Sequence, residues 1–227
     1  MDITYYGHSC FLITLGDYKV LFDPYITDNA LASHIDINTI EADFIFLSHG
    51  HEDHVKDTEV IAKRTGAMVI GNFEVITWFK KKGLEKTYSM NPGGKASFEF
   101  GTVKMVTAVH SSSMPDGTYG GVAIGYVVES ADKTFYYSGD TALHTDMKII
   151  AEQFHIDFAF LSLGDTYTMD VSDAMIAASY VNTKKIIGMH FNTWPTIEID
   201  PVISDLIARQ AEKELILMEI GQLLKIK

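Results

Sequence analysis

Three histidines and an aspartate fall within six residues of this chain, at His49, His51, Asp53 and His54. The apolar run 44–47 directly before them is rich in aromatic residues and β-formers, which predicts a buried strand. The cluster therefore follows a strand end, where rigid scaffolds hold reactive groups. Imidazole and carboxylate donors suit zinc, copper, iron, nickel and manganese. Since the whole chain has nine histidines, three in six positions favour a metal site over a histidine-rich surface loop.

The spacing inside the cluster predicts how its donors divide. Side chains along an extended segment point alternately to opposite sides. His49 and His51 are then expected to reach one metal ion, while Asp53 and His54 turn toward another. The segment on its own therefore predicts two neighbouring ions.

Three further donor residues each follow a strand-like run. They are His110 after residues 103–109, Asp140 after residues 134–137, and His190 after residues 185–189. With these residues, the hexapeptide resembles the HxHxDH signature of the metallo-β-lactamase superfamily, which adds a histidine, a bridging aspartate and a last histidine downstream. The resemblance spans essentially the whole chain. It implies an α/β fold, a four-layer αβ/βα sandwich of two mixed β-sheets with helices on the outer faces.

The resemblance also implies a ligand set and a reaction. It assigns His49, His51 and His110 to one ion, Asp53, His54 and His190 to the other, and Asp140 to both. Two divalent ions can activate a hydroxide near neutral pH, because metal binding lowers the pKa of water to about 7. Zinc suits these donors best, and manganese, iron and nickel remain compatible with them.

Asp53, His8 and Asp23 are the candidate catalytic residues. The resemblance places His8 close to the metals, where it would orient substrate or protonate a leaving group; the alternative is a structural hydrogen-bonding histidine. The family often has an acidic residue at the position of Asp23, which otherwise only caps a turn. Asp165 either supports the ligands or shapes a helix-entry turn, and Trp194 is expected to border the pocket.

Apolar periodicity and turn residues divide the chain into alternating elements. Strands are predicted at residues 3–6, 10–15, 18–22, 43–47, 67–70, 87–90, 96–100, 102–109, 122–129, 134–137, 158–163, 185–189, 215–218 and 223–226. Helices are predicted at residues 57–64, 73–82, 144–154, 172–181 and 201–212, with Asp57, Ser172 and Asp200 as candidate caps. Many strands with interspersed helices predict two packed sheets with helices outside, in one domain spanning residues 1–227.

Composition excludes several classes of protein. The formal charge of −12 argues against a long nucleic acid as partner, because such a partner requires a basic face. No apolar run reaches about 18 residues, so no membrane span is predicted. Cys10 is the only cysteine and no secretory signal is recognisable, which together favour the cytoplasm. A small-molecule substrate is expected, and a homo-oligomer is compatible with the sequence.

Three short segments indicate which group within the superfamily the chain resembles most. Residues 6–11, 22–24 and 188–195 are similar to small metal-dependent hydrolases related to ascorbate-6-phosphate lactonase and N-acylphosphatidylethanolamine phospholipase D. This similarity implies cleavage of a small ester, lactone or phosphodiester, although a shared fold does not transfer a substrate. Two alternatives stay open: a non-hydrolytic module that binds a metabolite, and a phosphodiesterase or nuclease acting on short or cyclic nucleotides.

Overall fold

Fourteen strands, in the order predicted, form the frame of the protein in a computed structural model that describes residues 1–227. They are β1 (Asp2–Gly7), β2 (Cys10–Leu15), β3 (Tyr18–Phe22), β4 (Phe44–Phe46), β5 (Met68–Asn72), β6 (Thr87–Met90), β7 (Lys95–Phe98), β8 (Gly101–Thr107), β9 (Ile124–Ser130), β10 (Thr134–Tyr137), β11 (Phe158–Ser162), β12 (Lys185–Met189), β13 (Glu214–Ile216) and β14 (Leu223–Lys225). One seven-stranded sheet has the order β14-β1-β2-β3-β4-β5-β6, and the other has the order β13-β12-β11-β10-β9-β8-β7. Both sheets are mixed, which confirms the predicted fold class.

Six helices connect the strands: α1 (Glu52–Val55), α2 (Thr58–Thr65), α3 (Phe73–Lys81), α4 (Met147–Gln153), α5 (Val171–Tyr180) and α6 (Pro201–Gln210). None of them is long and apolar enough to cross a bilayer.

Three apolar clusters separate the layers, and strand β4 shows how. Phe44 and Phe46 point into the cluster between the two sheets, whereas Ile45 and Leu47 point into the cluster beneath α2 and α3. This two-residue alternation is what a strand buried on both faces produces. A third cluster lies between the second sheet and helices α4 and α5. The four layers are therefore helix, sheet, sheet and helix.

Two predicted helix caps are wrong and one is right. The Asp57 carboxylate does not cap α2, because it accepts hydrogen bonds from the backbone of Ile26 at 2.6 Å and so anchors the loop 25–42. Asp170 caps α5 in place of Ser172, accepting from the Asp173 amide at 2.7 Å. Asp200 caps α6 as predicted, because its side chain accepts hydrogen bonds from the first two free amides of that helix.

Helix α4 begins at Met147, three residues later than predicted, so His144 lies in the preceding loop.

Strand directions bring the site residues to one edge of the sandwich. Strands β8 and β10 are each antiparallel to β9, and β10 is parallel to β11 and β12 through the sheet. Strands β8, β10 and β12 therefore run the same way, and their carboxyl ends meet at one edge. The candidate donors that follow these three strands consequently emerge together.

Candidate metal centre

Seven histidine and aspartate side chains converge at this edge, and they are the seven predicted donors. The structure groups His49, His51 and His110, then His8, Asp53, His54 and His190, and then His49, His54 and Asp140, with the donor atoms of each group within 4.8 Å of one another. The seven predicted donors are separated by up to 141 positions and reach the cluster from four strand ends. The grouping follows the predicted division, and His8 is its one additional member.

The first half of the cluster contains three histidines. The Nε2 atom of His49 lies 2.9 Å from Nδ1 of His51. The ring of His110 lies 5.1 Å from the rings of both other histidines, measured between centroids. His49 is fully buried, whereas His51 and His110 are partly exposed on the side of the cavity.

The second half contains Asp53, His54 and His190. The Nε2 atoms of His54 and His190 lie 3.5 and 3.7 Å from Oδ2 of Asp53. Oδ2 of Asp140 lies 3.2 Å from His54, 3.0 Å from His190 and 3.6 Å from His110. This one carboxylate oxygen therefore stands between the two halves, where a bridging group would have to stand.

The signature segment is not extended throughout, so the predicted reason for its division was wrong. The chain is extended at His51 and then enters the single helical turn of α1, with the amide of His54 donating to the carbonyl of His51 at 3.0 Å. The helical turn directs Asp53 and His54 toward the second half, while the ring of His54 stays beside that of His49, with centroids 4.1 Å apart. A turn of four residues is too short to give a periodic sequence pattern.

The buried carboxylate of Asp23 holds the donors from behind. It accepts hydrogen bonds from the Ser48 amide at 2.7 Å, the Ser48 hydroxyl at 2.6 Å, the Tyr137 hydroxyl at 2.8 Å and His54 Nδ1 at 2.9 Å. Since Nδ1 of His54 donates to Asp23, a cation that displaces the proton from Nε2 would meet a lone pair directed at the cluster. The Ser48 hydroxyl also lies 2.9 Å from His49 Nδ1.

His8 lies beside the second half and contacts one predicted ligand. Its Nε2 is 3.0 Å from Oδ2 of Asp53, and its Nδ1 is 2.8 Å from the Thr193 hydroxyl. Its carbonyl accepts the amide hydrogen of His190 at 2.8 Å, and both residues adopt positive φ, at 55° and 56°. Burial lowers the pKa of His8 to about 4, with His190 acting in the same direction against the opposing effect of Asp53.

Protonation in the cluster suits cation binding. Burial lowers the pKa values of His49, His51 and His110, so these imidazoles are neutral. Burial alone would raise the pKa values of Asp53 and Asp140, but the surrounding histidines outweigh it and hold both carboxyls ionised. Metal binding requires neutral imidazoles and ionised carboxylates.

The other two histidines of the cluster, His54 and His190, carry protons at positions that a bound cation would take over. Burial lowers the pKa of His190, but the Asp140 and Asp53 carboxylates outweigh it and raise that pKa to about 9. The same balance, with Asp23 added, raises the pKa of His54. Protons on these rings stand where positive charge is needed between two carboxylates, and a divalent ion would supply that charge instead.

The donor atoms fit divalent ions on geometric grounds. His54 Nε2 and Asp140 Oδ1 are buried without a hydrogen-bond partner, which is costly unless another group satisfies them. Donors that share a tetrahedral zinc ion at about 2.0–2.1 Å lie about 3.3 Å apart. The separations from His49 to His51 and from Asp140 to His54, 2.9 and 3.2 Å, are close to that value. The residues therefore fit a centre of two divalent ions.

A cavity of about 480 Å³ opens over the cluster. It is lined by Tyr25, Asp28, His51, Glu52, Asp53, His110, Ser111, Asp140, Tyr167, His190, Trp194 and Thr196. Trp194 lines the cavity, as expected from the sequence. Asp165 does not: it is an exposed residue with φ of 57° in the turn between β11 and α5.

Several contacts at the site have little or no sequence signal. Ser48 precedes the histidine cluster and could have been considered for that reason. Tyr137 lies 114 positions from Asp23, and Thr193 lies 185 positions from His8, so only the fold reveals these pairs. Tyr25 and Tyr167 belong to loops without a recognisable motif.

Comparison with known proteins agrees with this geometry. The family model described as "Beta-lactamase superfamily domain" matches residues 2–190. A protein of Methylacidiphilum infernorum named "UPF0173 metal-dependent hydrolase" is 48% identical over 200 residues, which cover 88% of each chain. A protein with the same name from Flavobacterium johnsoniae is 46% identical over 222 residues, covering 98% of each chain.

Solved structures show the same fold. A metallo hydrolase from the archaeon Ignicoccus hospitalis superposes with a TM-score of 0.88 at 30% identity, covering 100% of this chain and 99% of that chain. An isothiocyanate hydrolase from Delia radicum gut bacteria gives a TM-score of 0.78 at 16% identity, with 100% and 99% coverage. At that identity the second likeness concerns the fold alone.

Proposed function

Because this chain belongs to the metallo-β-lactamase superfamily and to its UPF0173 metal-dependent hydrolases, we propose that it cleaves a small ester, lactone or phosphodiester at a dinuclear metal centre. The observation that carries the proposal is the convergence of seven donor side chains from four strand ends, at the floor of an open cavity. None of the donors is replaced by a residue unable to bind a metal, which weighs against a non-hydrolytic binding module.

In this proposal His49, His51 and His110 would hold one ion, Asp53, His54 and His190 would hold the other, and Asp140 would contribute to both. Two divalent ions, zinc by preference for these donors, would supply a hydroxide near neutral pH and stabilise negative charge on a substrate oxygen.

The chain itself orients the donors and keeps them in the required state. Asp23 fixes His54 through Nδ1, and Ser48 links Asp23 to His49. Such outer contacts set the ring orientation and raise the basicity of the ligating nitrogen. Asp23 is therefore proposed as a positioning residue rather than as a group that touches substrate.

His8 is proposed as the proton carrier of the site. It is neutral near pH 7, it lies against Asp53, and Thr193 fixes its other ring nitrogen. Trp194 is T-shaped against it, with ring centroids 4.9 Å apart. His8 does not itself line the cavity, so it would exchange a proton with a leaving group by way of Asp53, which does.

The test combines metal analysis with a panel of substrates. Purified protein is loaded with zinc, manganese or iron, its metal content is measured, and rates are recorded on aryl esters, lactones and bis(aryl) phosphodiesters. The same measurements are made on His51→Ala and Asp53→Ala, with His155→Ala, an exposed histidine outside the cluster, as the control.

We expect turnover on at least one class by the parent and the His155→Ala variant, and a loss of at least 10²-fold in the two ligand variants. Full metal content without turnover on any class would contradict the proposal, as would ligand variants that retain the parent rate. Preference for short or cyclic nucleotides would identify the phosphodiesterase alternative.

A further inference from the structure

We propose that the cavity selects substrates whose body, outside the bond that is cleaved, is planar and either uncharged or cationic, and that it disfavours anionic bodies. This inference rests on the proposed hydrolase function and defines its substrate class. It is carried by the aromatic wall, defined as Tyr25, Tyr167 and Trp194, and by the charges around it.

The aromatic wall covers the half of the cluster that contains His190. Tyr25 and Trp194 face each other with ring centroids 6.2 Å apart, and both pack against His8, at 5.6 and 4.9 Å. Tyr25 is buried and its hydroxyl donates to the Asp28 carbonyl at 3.1 Å, which fixes the ring. Rigid aromatic faces beside a reaction centre bind planar apolar groups and cations.

The other two rings are presented by strained loops that are tied together. Asp165 and Thr166, directly before Tyr167, adopt φ of 57° and 41°, and Thr166 is β-branched, so this backbone is unfavourable. The Thr166 hydroxyl donates to the Thr196 carbonyl at 2.8 Å, which joins this loop to the one that carries Trp194. Strain of this kind persists where it holds a functional arrangement. Tyr167 is nevertheless 55% exposed, so its ring is available to a ligand.

No lysine or arginine lines the cavity. Asp28 and Glu52, which line the cavity, both pair with Lys56, whose ammonium group lies 2.5 Å from Asp28 and 2.9 Å from Glu52. The two carboxylates and the one ammonium group together give this part of the cavity lining a net charge of −1. The formal charge of the chain is −12, and two bound divalent ions would change it to −8, so the metal-loaded protein as a whole still repels anions. An anionic substrate body would therefore meet no free partner here.

The kinetic test uses three aryl acetates of similar size, with hydrogen, trimethylammonium or sulfonate in the para position. Each is hydrolysed by the metal-loaded protein and by Trp194→Leu and Tyr167→Leu. Tyr88→Leu is the matched control, because Tyr88 is 43% exposed on β6, outside the cavity.

We expect kcat/KM for the sulfonate to be at least tenfold below the other two values. Loss of either ring should raise KM for the neutral and cationic esters about five- to tenfold with little change in kcat. The Tyr88→Leu control should match the parent. Equal or better use of the sulfonate would overturn the inference, as would wall variants with unchanged KM.

A binding measurement separates this inference from the hydrolase proposal. The chain has two tryptophans, so Trp78→Phe leaves Trp194 as the only tryptophan fluorophore. Acetophenone, phenyltrimethylammonium and benzenesulfonate, none of which carries an ester, are titrated into this metal-loaded variant. Weaker binding of benzenesulfonate by tenfold or more supports the selection proposed here, and equal or tighter binding contradicts it. Absence of turnover by the metal-loaded protein on every ester, lactone and phosphodiester of the substrate panel contradicts the hydrolase proposal instead.

Discussion

Asp23 is the residue on which most of the donor geometry depends. Its carboxylate is fully buried at φ of 41° and is surrounded by hydrogen-bond donors from Ser48, His54 and Tyr137. Tyr137 also donates to the carbonyl of Ser9 at 2.8 Å, which joins the loop before β2 to the same network. These donors are directed at both oxygens, so a side chain with two acceptor oxygens is needed to satisfy all of them.

Asp23→Asn tests this positioning role. The amide replaces one acceptor oxygen with an NH₂ group, which then faces donors and releases His54 from its orientation. We expect affinity for the bound metal to fall about 10- to 100-fold, the range found when such outer partners are lost. Competition with a coloured chelator measures this affinity, and Asp17→Asn, in an exposed turn, serves as control. Unchanged metal affinity in Asp23→Asn would show that Asp23 serves the turn alone.

His8→Ala tests the proton carrier. If His8 transfers a proton during the reaction, kcat should fall by about 10²-fold or more while metal content stays near that of the parent. Steady-state rates and metal analysis on the same preparations provide both values. His155→Ala is again the control. A fall in metal content that accounts for the whole loss of rate would instead assign His8 to holding Asp53.

Individual residues of the site also show which contacts can be predicted from the sequence and which cannot. The convergence of the seven candidate donors could be expected because each lies within a few residues of the end of an apolar run, and the resemblance supplied their grouping. Tyr137 could not be predicted as a partner of Asp23, because its own strand pattern reads as ordinary core. The position of Tyr167 in the cavity wall could not be predicted either, because a loop sequence does not show the direction in which an aromatic ring points.

At the scale of elements, close approach of strand ends shapes the site. Gly164 follows β11, and a Cβ atom there would lie 2.3 Å from the carbonyl oxygen of His190 and 2.8 Å from Cβ of Ile197. The carbonyl belongs to the backbone and cannot move aside without moving the His190 ligand. A side chain at Gly164 would therefore push apart the two loops that follow β11 and β12.

Gly164→Ala is accordingly expected to cost about 1–3 kcal/mol of stability, the usual range for overpacking, and to weaken metal binding. Gly71→Ala is the matched control, because its added Cβ would approach no atom closer than 3.5 Å. Urea denaturation of the metal-free proteins measures the first effect, and chelator competition measures the second. Equal stability of the two variants would disprove the steric account.

The start of a helix could be predicted where one capping residue determines it. Asp200 before a proline caps α6 as expected, since no other acceptor competes for the first amides. The cap predicted at Ser172 was wrong because α5 begins earlier, at Val171, where the side chain of Asp170 accepts a hydrogen bond from the Asp173 amide. The cap predicted at Asp57 was wrong because amides of the loop 25–42 donate to its carboxylate instead. These amides lie about 30 positions away, so the sequence around Asp57 gives no sign of them.

At the scale of the whole molecule, the cluster joins the two sheets. His49, His51, Asp53 and His54 follow β4 of the first sheet, whereas His110, Asp140 and His190 follow strands of the second. Each predicted ion would therefore be held by residues from both sheets. Bound metal would stabilise the contact between the sheets as well as supply chemistry.

Removal of metal should consequently lower the melting temperature. Binding to the folded state alone contributes about 2.7 kcal/mol when free metal is at 100 times its Kd. Thermal melts with chelator, and then with graded additions of zinc, should show a loss that zinc restores in proportion to the logarithm of its concentration. His51→Ala should respond less at every concentration. A melting temperature indifferent to chelator would contradict a resident metal that joins the sheets.

The order of the donors along the chain also governs when the centre can be assembled. Four of them emerge from the ribosome within six residues, but the last, His190, follows about 136 residues after His54. At about 5–20 residues per second, that interval lasts roughly 7–27 seconds. Throughout it the nascent protein lacks part of the proposed ligand set, so loading of a metal held by all seven residues would be a late step of biosynthesis.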